Sequence, residues 1–378
     1  MNLKILLIAA TAIFSAAASP SQGAQVQEPL KLAIELHEAG KLAEAVTEYD
    51  KVIKAHPKLA EAYFNRGNAY YDLGIDAQAI KDYSQAIRLN PKDAEAYYNR
   101  GNANRRSKMQ PAALNDYSTA IKLNPDDGRS YTNRGSLYFD SQRYEAAAKD
   151  FSEAIRIDSK DAQNYYNRGN AYLALDKKEE AIRDYDAALG RDPKLAEAYY
   201  NRGIAYADLK KYPEAIYDFD ETLRLTPKSA EAFYNRGLAK MRLGKFEDAI
   251  EDYSEALRLN PKDPEAVFNR GLSYLRVDKY DYAARDFGEV ITIQPKNADA
   301  HVYRGIIRVY QSKEKDADAD FQRAFQLDPG LKKKIQPIID EAKIKAKSAA
   351  NSRRRAARLV FVAPIHYSIV SGAGSRMG

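Results

Sequence analysis

Few side chains in this sequence stand where they could do chemistry. The four His residues lie at 37, 56, 301 and 366, and no Cys occurs. A helical zinc-hydrolase motif needs a second His four residues after the first, with a Glu between. His37-Glu38 begins such a pattern, but Lys41 stands where the second His belongs. Without Cys there is no disulfide, thiolate nucleophile or Cys-ligated zinc. No nucleophile elbow or P-loop is present, and Gly372-Ala373-Gly374 has no helix after it to make a dinucleotide turn. The many acidic side chains recur with a fixed period, whereas catalysis needs a unique constellation. The sequence therefore reads as no enzyme, with no cofactor and no metal.

The elements that would position any site follow from the period. Asn-Arg-Gly begins at Asn65, Asn99, Asn133, Asn167, Asn201, Asn235 and Asn269, a step of 34 residues each time. A period of that size signals stacked repeats. With Ala60 as position 1, repeats start at 60, 94, 128, 162, 196, 230, 264 and 298. A weaker copy fits 26–59 and makes nine. Each repeat reads as two helices. In the first, positions 4, 8 and 11 share a face at helical spacing. Position 4 is mostly aromatic (Tyr63, Tyr97, Tyr165) and position 8 is Gly from Gly67 to Gly305. Gly costs roughly 1 kcal/mol in a helix relative to Ala, so its recurrence predicts close approach of a neighbouring helix. In the second helix positions 20, 24 and 27 follow, as in Ala79, Tyr83, Ala86 and Ala181, Tyr185, Ala188. Pro91, Pro125 and Pro261 close the unit, because Pro cannot continue a helix interior.

Position 7 is Arg and position 23 is Asp in all eight regular repeats, including Arg66 with Asp82, Arg168 with Asp184 and Arg202 with Asp218. These pairs read as structural links between the two helices, bidentate in the way guanidinium and carboxylate match. A ligand-binding arginine ladder is the competing reading.

Aromatic at 4, Gly at 8, Tyr at 11, Ala at 20, aromatic at 24, Ala at 27 and Pro at 32 together resemble the tetratricopeptide repeat family over residues 26–331. The resemblance implies an all-α fold, a right-handed superhelical α-solenoid whose first helices line a concave groove. Departures are Pro29 and Ala33 at positions 4 and 8 of the first copy, Asn104, Lys240 and Arg308 at position 11, and Ser159 at position 32. They put local packing in question. Residues 332–349 read as a C-terminal capping helix, with Leu331, Ile335, Ile338, Ile339 and Ile344 as its apolar stripe.

The resemblance places positions 2, 5, 9, 12 and 13 on the groove. The candidate peptide-contacting residues are Phe64, Asn68, Tyr98, Asn102, Tyr166, Asn170, Tyr200, Tyr234 and Phe268. Tyr offers flat apolar area with a hydroxyl, and Asn can both donate to and accept from a peptide backbone. On this reading Tyr166→Ala with Tyr200→Ala weakens binding and leaves the fold intact. Position 9 turns aliphatic from Ile204 onward, through Leu238, Leu272 and Ile306, so the later groove reads as more apolar. Family members that clamp a partner's C-terminal carboxylate use Lys at position 5. Here Asn68 and Asn99 match that pattern, but position 5 is Phe64 and the third-repeat residues are Arg129 and Asn133.

Met1–Lys4, the apolar run Ile5–Phe14 and Ala16-Ala17-Ala18 read as a signal peptide over 1–18, with 19–25 as a linker. Residues 332–358 carry ten Lys/Arg against two Asp/Glu, more than the whole net charge of +6. The repeats are therefore slightly acidic, which argues against a nucleic-acid-binding body. Residues 350–378 read as a disordered basic and apolar tail, and a peripheral membrane contact is open to it. No other segment is long and apolar enough to span a bilayer. The expected function is an exported scaffold, bacterial and either periplasmic or extracellular, holding a protein or peptide in its groove. A holdase for unfolded chains in the same compartment is the alternative.

Overall fold

A computed structural model describes residues 20–351, with side chains for 27–346. The signal assigned to 1–18 and the tail beyond 351 lie outside the described residues. The described residues form nineteen helices and no strand. They fall into two compact units that meet in sequence at Gln142 and Arg143.

The first unit holds α1 (Pro20–Glu38), α2 (Leu42–Ala55), α3 (Ala60–Asp72), α4 (Asp76–Leu89), α5 (Ala94–Arg106), α6 (Gln110–Leu123) and α7 (Gly128–Asp140). The segment 19–25, expected as a linker, is helical from Pro20 onward, because α1 continues back through it. The second unit holds α8 (Tyr144–Ile157), α9 (Ala162–Ala174), α10 (Lys178–Leu189), α11 (Ala196–Asp208), α12 (Tyr212–Leu225), α13 (Ala230–Arg242) and α14 (Phe246–Leu259). It continues with α15 (Pro264–Arg276), α16 (Tyr280–Ile293), α17 (Ala298–Tyr310), α18 (Glu314–Leu327) and α19 (Pro329–Asn351). Within each unit every helix packs on the next one in the chain.

The sequence explains why the helices start and stop there. Asp93, Asp161, Ser229, Asp263 and Asn297 cap first helices, each accepting a backbone N–H of the first turn. First helices end in a left-handed residue, Gly at 40, 74 and 244 but Lys108, Gln142, Asp176, Lys210, Asp278 and Ser312 elsewhere. That conformation lets the next two N–H groups fold back, as Gly74 does to Tyr71 and Ile75 to Tyr70.

Each helix pair closes around the ring at position 24. Tyr83, Tyr117, Phe151, Tyr185, Phe219, Tyr253 and Phe287 are all fully buried. A Cβ placed on Gly67, Gly101, Gly169, Gly203, Gly237, Gly271 or Gly305 would stand 2.6–3.2 Å from that ring or its neighbouring Asp. The recurring Gly is thus required by a side chain of the repeat's own second helix. At the far end of the second unit, Ile339 and Ala342 of α19 are buried against Val302, Ile306, Val309 and Phe321, covering the last pair.

Candidate functional site

The repeated charges are engaged inside the scaffold. Arg66 Nε and Nη2 donate to the two oxygens of Asp82 at 2.6 and 2.7 Å, and Nη1 also reaches Asp50. Arg168 meets Asp184 at 2.7 Å through both nitrogens, and Arg202 meets Asp218 at 2.8 and 2.6 Å. Four further pairs repeat this fork: Arg100–Asp116, Arg236–Asp252, Arg270–Asp286 and Arg304–Asp320. Each guanidinium also reaches toward the preceding repeat where the partner allows, as Arg100 does to Ser84 and Arg236 to Asp220. Burial pushes the Asp218 and Asp286 carboxyls up, against the downward pull of their arginines.

Position 11 explains the odd residues. Where it is Tyr, its ring lies beside the arginine, as Tyr70 does with Arg66 at 5.9 Å and Tyr172 with Arg168 at 5.8 Å. Where it is not, it donates to the same Asp: Asn104 to Asp116 at 2.8 Å, Lys240 to Asp252 at 2.8 Å and Arg308 to Asp320 at 2.7 Å. The departures preserve the buried acid's coordination instead of loosening the packing.

The position-5 rings lean inward. Phe64, Tyr98, Tyr166, Tyr200 and Tyr234 pack tilted against the position-24 ring of their own repeat at 5.9–6.1 Å. Phe268 meets Phe287 edge-on at 5.2 Å. Tyr234 and Phe268 are only 5% and 4% exposed, and Asn170 is 9% exposed. These three, expected on the groove, belong to the interior, because the next first helix covers them: Asn269 donates to Tyr234 and Asn201 to Asn170. Ile204, Leu238 and Ile306, expected to make the later groove apolar, are buried for the same reason. Tyr166 and Tyr200 are half-buried, their hydroxyls accepting from Asn201 and Asn235.

The first unit is different. Phe64, Asn68, Tyr98, Asn99, Asn102, Arg105 and Asn133 all remain half-exposed on α3, α5 and α7. Their amides form two directed pairs. Asn68 Oδ1 accepts from Tyr83 Oη at 2.8 Å and from Asn99 Nδ2 at 3.1 Å. Asn102 Oδ1 accepts from Tyr117 Oη at 2.8 Å and from Asn133 Nδ2 at 2.9 Å. Asn133 Oδ1 in turn accepts from Arg105 Nη1 at 3.3 Å. Both lone pairs of each position-9 oxygen are thus taken. An amide nitrogen has two N–H donors. Those of Asn68 have no acceptor among the described residues. Asn102 Nδ2 lies near the Tyr98 hydroxyl, which leaves it at least one.

The cations of this face are unequal. Arg129 is held by Glu95 at 2.6 Å and Asp127 at 2.8 Å, with Tyr98 beneath it at 4.5 Å. Arg106 is paired with Asp76 and lies over Tyr71 at 3.6 Å. A C-terminal carboxylate clamp is therefore not assembled: its position-5 cation is Phe64 and its third-repeat cation is already neutralised. Arg105 has no ion-pair partner among the described residues. Sequence reasoning passed over it, although position 12 of the other regular repeats is Tyr71, Phe139, Leu173, Ala207, Met241, Leu275 and Val309. A lone cation in an apolar column was the available signal.

Comparison with known proteins agrees with this architecture. A TPR repeat model matches residues 35–74, 67–107 and 135–176. Tetratricopeptide repeat models match 94–127 and 230–263, and also 166–230. No curated protein gives a significant match. Among solved structures, the chain is similar to YrrB, described as a TPR protein with an unusual peptide-binding site: 25% identity, 49% of this chain, 95% of that one, TM-score 0.46. A tetratricopeptide repeat protein from Parabacteroides merdae is 22% identical over 67% of this chain and 98% of its own, TM-score 0.47. The C-terminal part of a TPR repeat-containing protein from Cytophaga hutchinsonii is 18% identical over 72% and 97%, TM-score 0.49. Among the described residues no helix is long and apolar enough to cross a membrane.

Proposed function

Because this chain belongs to the tetratricopeptide repeat family, we propose that it is an interaction scaffold that holds an extended segment of another protein across α3, α5 and α7. The observation that carries this is the pair of position-9 amides, Asn68 and Asn102, whose oxygens are tied down while N–H donors stay unused on a half-exposed face.

An extended backbone presents carbonyl acceptors at regular intervals. Packed helices sit about 8–10 Å apart, and α3 and α5 come within 8 Å Cα to Cα. Three residues of a polyproline-type strand rise about 9 Å. Carbonyls three residues apart therefore match donors one repeat apart. The exposed edges of Phe64 and Tyr98 supply apolar contact beside them. Because the amides are already oriented by Tyr83, Tyr117, Asn99 and Asn133, little rotamer freedom is lost on binding. Family membership supports a non-catalytic role. Export belongs to the same proposal and rests on residues 1–18 alone.

The test is to capture a partner from the native compartment and map it by hydrogen exchange. Slowed exchange on α3 and α5, with α11 to α15 unaffected, supports the reading. Protection confined to the second unit rejects it.

A further inference from the structure

The same face says which side chain its guest carries. This inference deepens the proposed function and rests on it. We infer that the first unit selects an extended segment bearing an internal Asp or Glu, and that Arg105 is the residue that selects it.

Three observations meet at Arg105. Arg105 is half-exposed, and its guanidinium touches one polar partner, Asn133 Oδ1, at 3.3 Å. A guanidinium has five N–H donors in a planar fork suited to a carboxylate, so most of them stay available. Arginine can only donate. Its contact takes the oxygen of the Asn133 amide, whose Nδ2 donates to Asn102 Oδ1. Asn99 and Asn201 point their nitrogens the same way with no cation beside them, so what Arg105 adds to this face is its own unused donors. Such a site favours an anionic acceptor over a neutral one and repels a cation.

A terminal carboxylate is the other source of this chemistry. The cations such a clamp needs are absent or occupied here: position 5 is Phe64 or Tyr98, and Arg129 is held between Glu95 and Asp127. An internal side-chain carboxylate needs only the Arg105 fork and the Asn102 amide, while the peptide backbone runs on past Asn68.

The probe is a fluorescein-labelled, C-terminally amidated Pro/Ala peptide with Glu at every third position, read by anisotropy against the full chain. A matched peptide carries Gln, another carries Lys, and a fourth carries Gln with a free C-terminal carboxylate. The Glu peptide should bind about tenfold tighter than the Gln peptide, as expected for a half-exposed charge pair, and the difference should shrink in high salt. Arg105→Gln keeps a donor for Asn133 and should remove the Glu preference while the melting curve stays unchanged. Arg105→Lys should keep part of the preference. Asn133→Asp gives Arg105 an internal partner and should also abolish it. Equal binding of Glu and Gln peptides to the parent chain, or a Glu preference that survives Arg105→Gln, overturns the inference and leaves the scaffold reading standing. A preference for the free terminus alone assigns the site to terminal carboxylates and overturns it too. If no peptide binds, the scaffold reading falls and this inference with it.

Discussion

Asn104 donates its Nδ2 to Asp116 Oδ2 at 2.8 Å, taking with an amide the place that Tyr70 or Tyr172 holds with a ring. Asp116 is buried and also receives the Arg100 fork. Asn104→Leu should therefore lower stability by about 1–3 kcal/mol, the cost of a buried acceptor losing a donor. Asn104→Tyr, the residue most repeats carry, should cost less. Urea midpoints with unchanged slopes would measure both.

Gly169 has no room for a side chain. A Cβ there would lie 2.7 Å from Tyr185 Cε1, and Tyr185 is fully buried. Gly169→Leu should destabilise by roughly 1–3 kcal/mol through overpacking, although Leu is the better helix former. An unchanged melting curve would show that the ring can move aside.

Tyr166 and Tyr200 have become stability residues. Each packs on its own repeat's ring, Tyr185 at 6.1 Å and Phe219 at 5.9 Å, and accepts from the next repeat's Asn. Tyr166→Ala with Tyr200→Ala should lower the melting temperature, each losing about 1–3 kcal/mol for a half-buried ring. Loss of partner binding without loss of stability would return these rings to a contact role.

That reversal shows what the sequence could carry. Gly67 against Tyr83 and Arg66 against Asp82 lie within one repeat at a constant spacing, so one periodic pattern contains both partners. Tyr234 and Asn170 are decided by the next repeat's Asn269 and Asn201. Successive helix positions turn by about 100°, so position 5 sits on the border between faces, and the neighbour's approach decides which side it takes. Arg105 was hidden for a different reason: reading by repeat discards the residue that does not repeat.

Alkaline pH should unfold the chain through its tyrosines. Burial pushes Tyr83, Tyr117, Tyr185, Tyr234, Tyr253 and Tyr303 up, and Tyr200 up to about 12. An unfolded tyrosine titrates near 10. Above that pH the unfolded chain loses protons that the folded chain keeps. The stability is full below about pH 10 and falls as pH rises toward 12 and beyond. Tyrosinate absorbance from the buried rings should rise late, coincident with loss of helicity. A single phase near 10 with helicity retained would contradict the burial.

The most direct measurement of the scaffold claim is peptide affinity for the chain carrying Asn68→Asp and Asn102→Asp. Asp keeps the oxygens that Tyr83, Asn99, Tyr117 and Asn133 hold, and replaces each outward N–H2 with an acceptor. Helicity and melting should stay close to the parent, and binding of the neutral Gln peptide should fall at least tenfold, or about 1.4 kcal/mol. Undiminished binding in this variant would mean that the donors on α3 and α5 do not hold the guest.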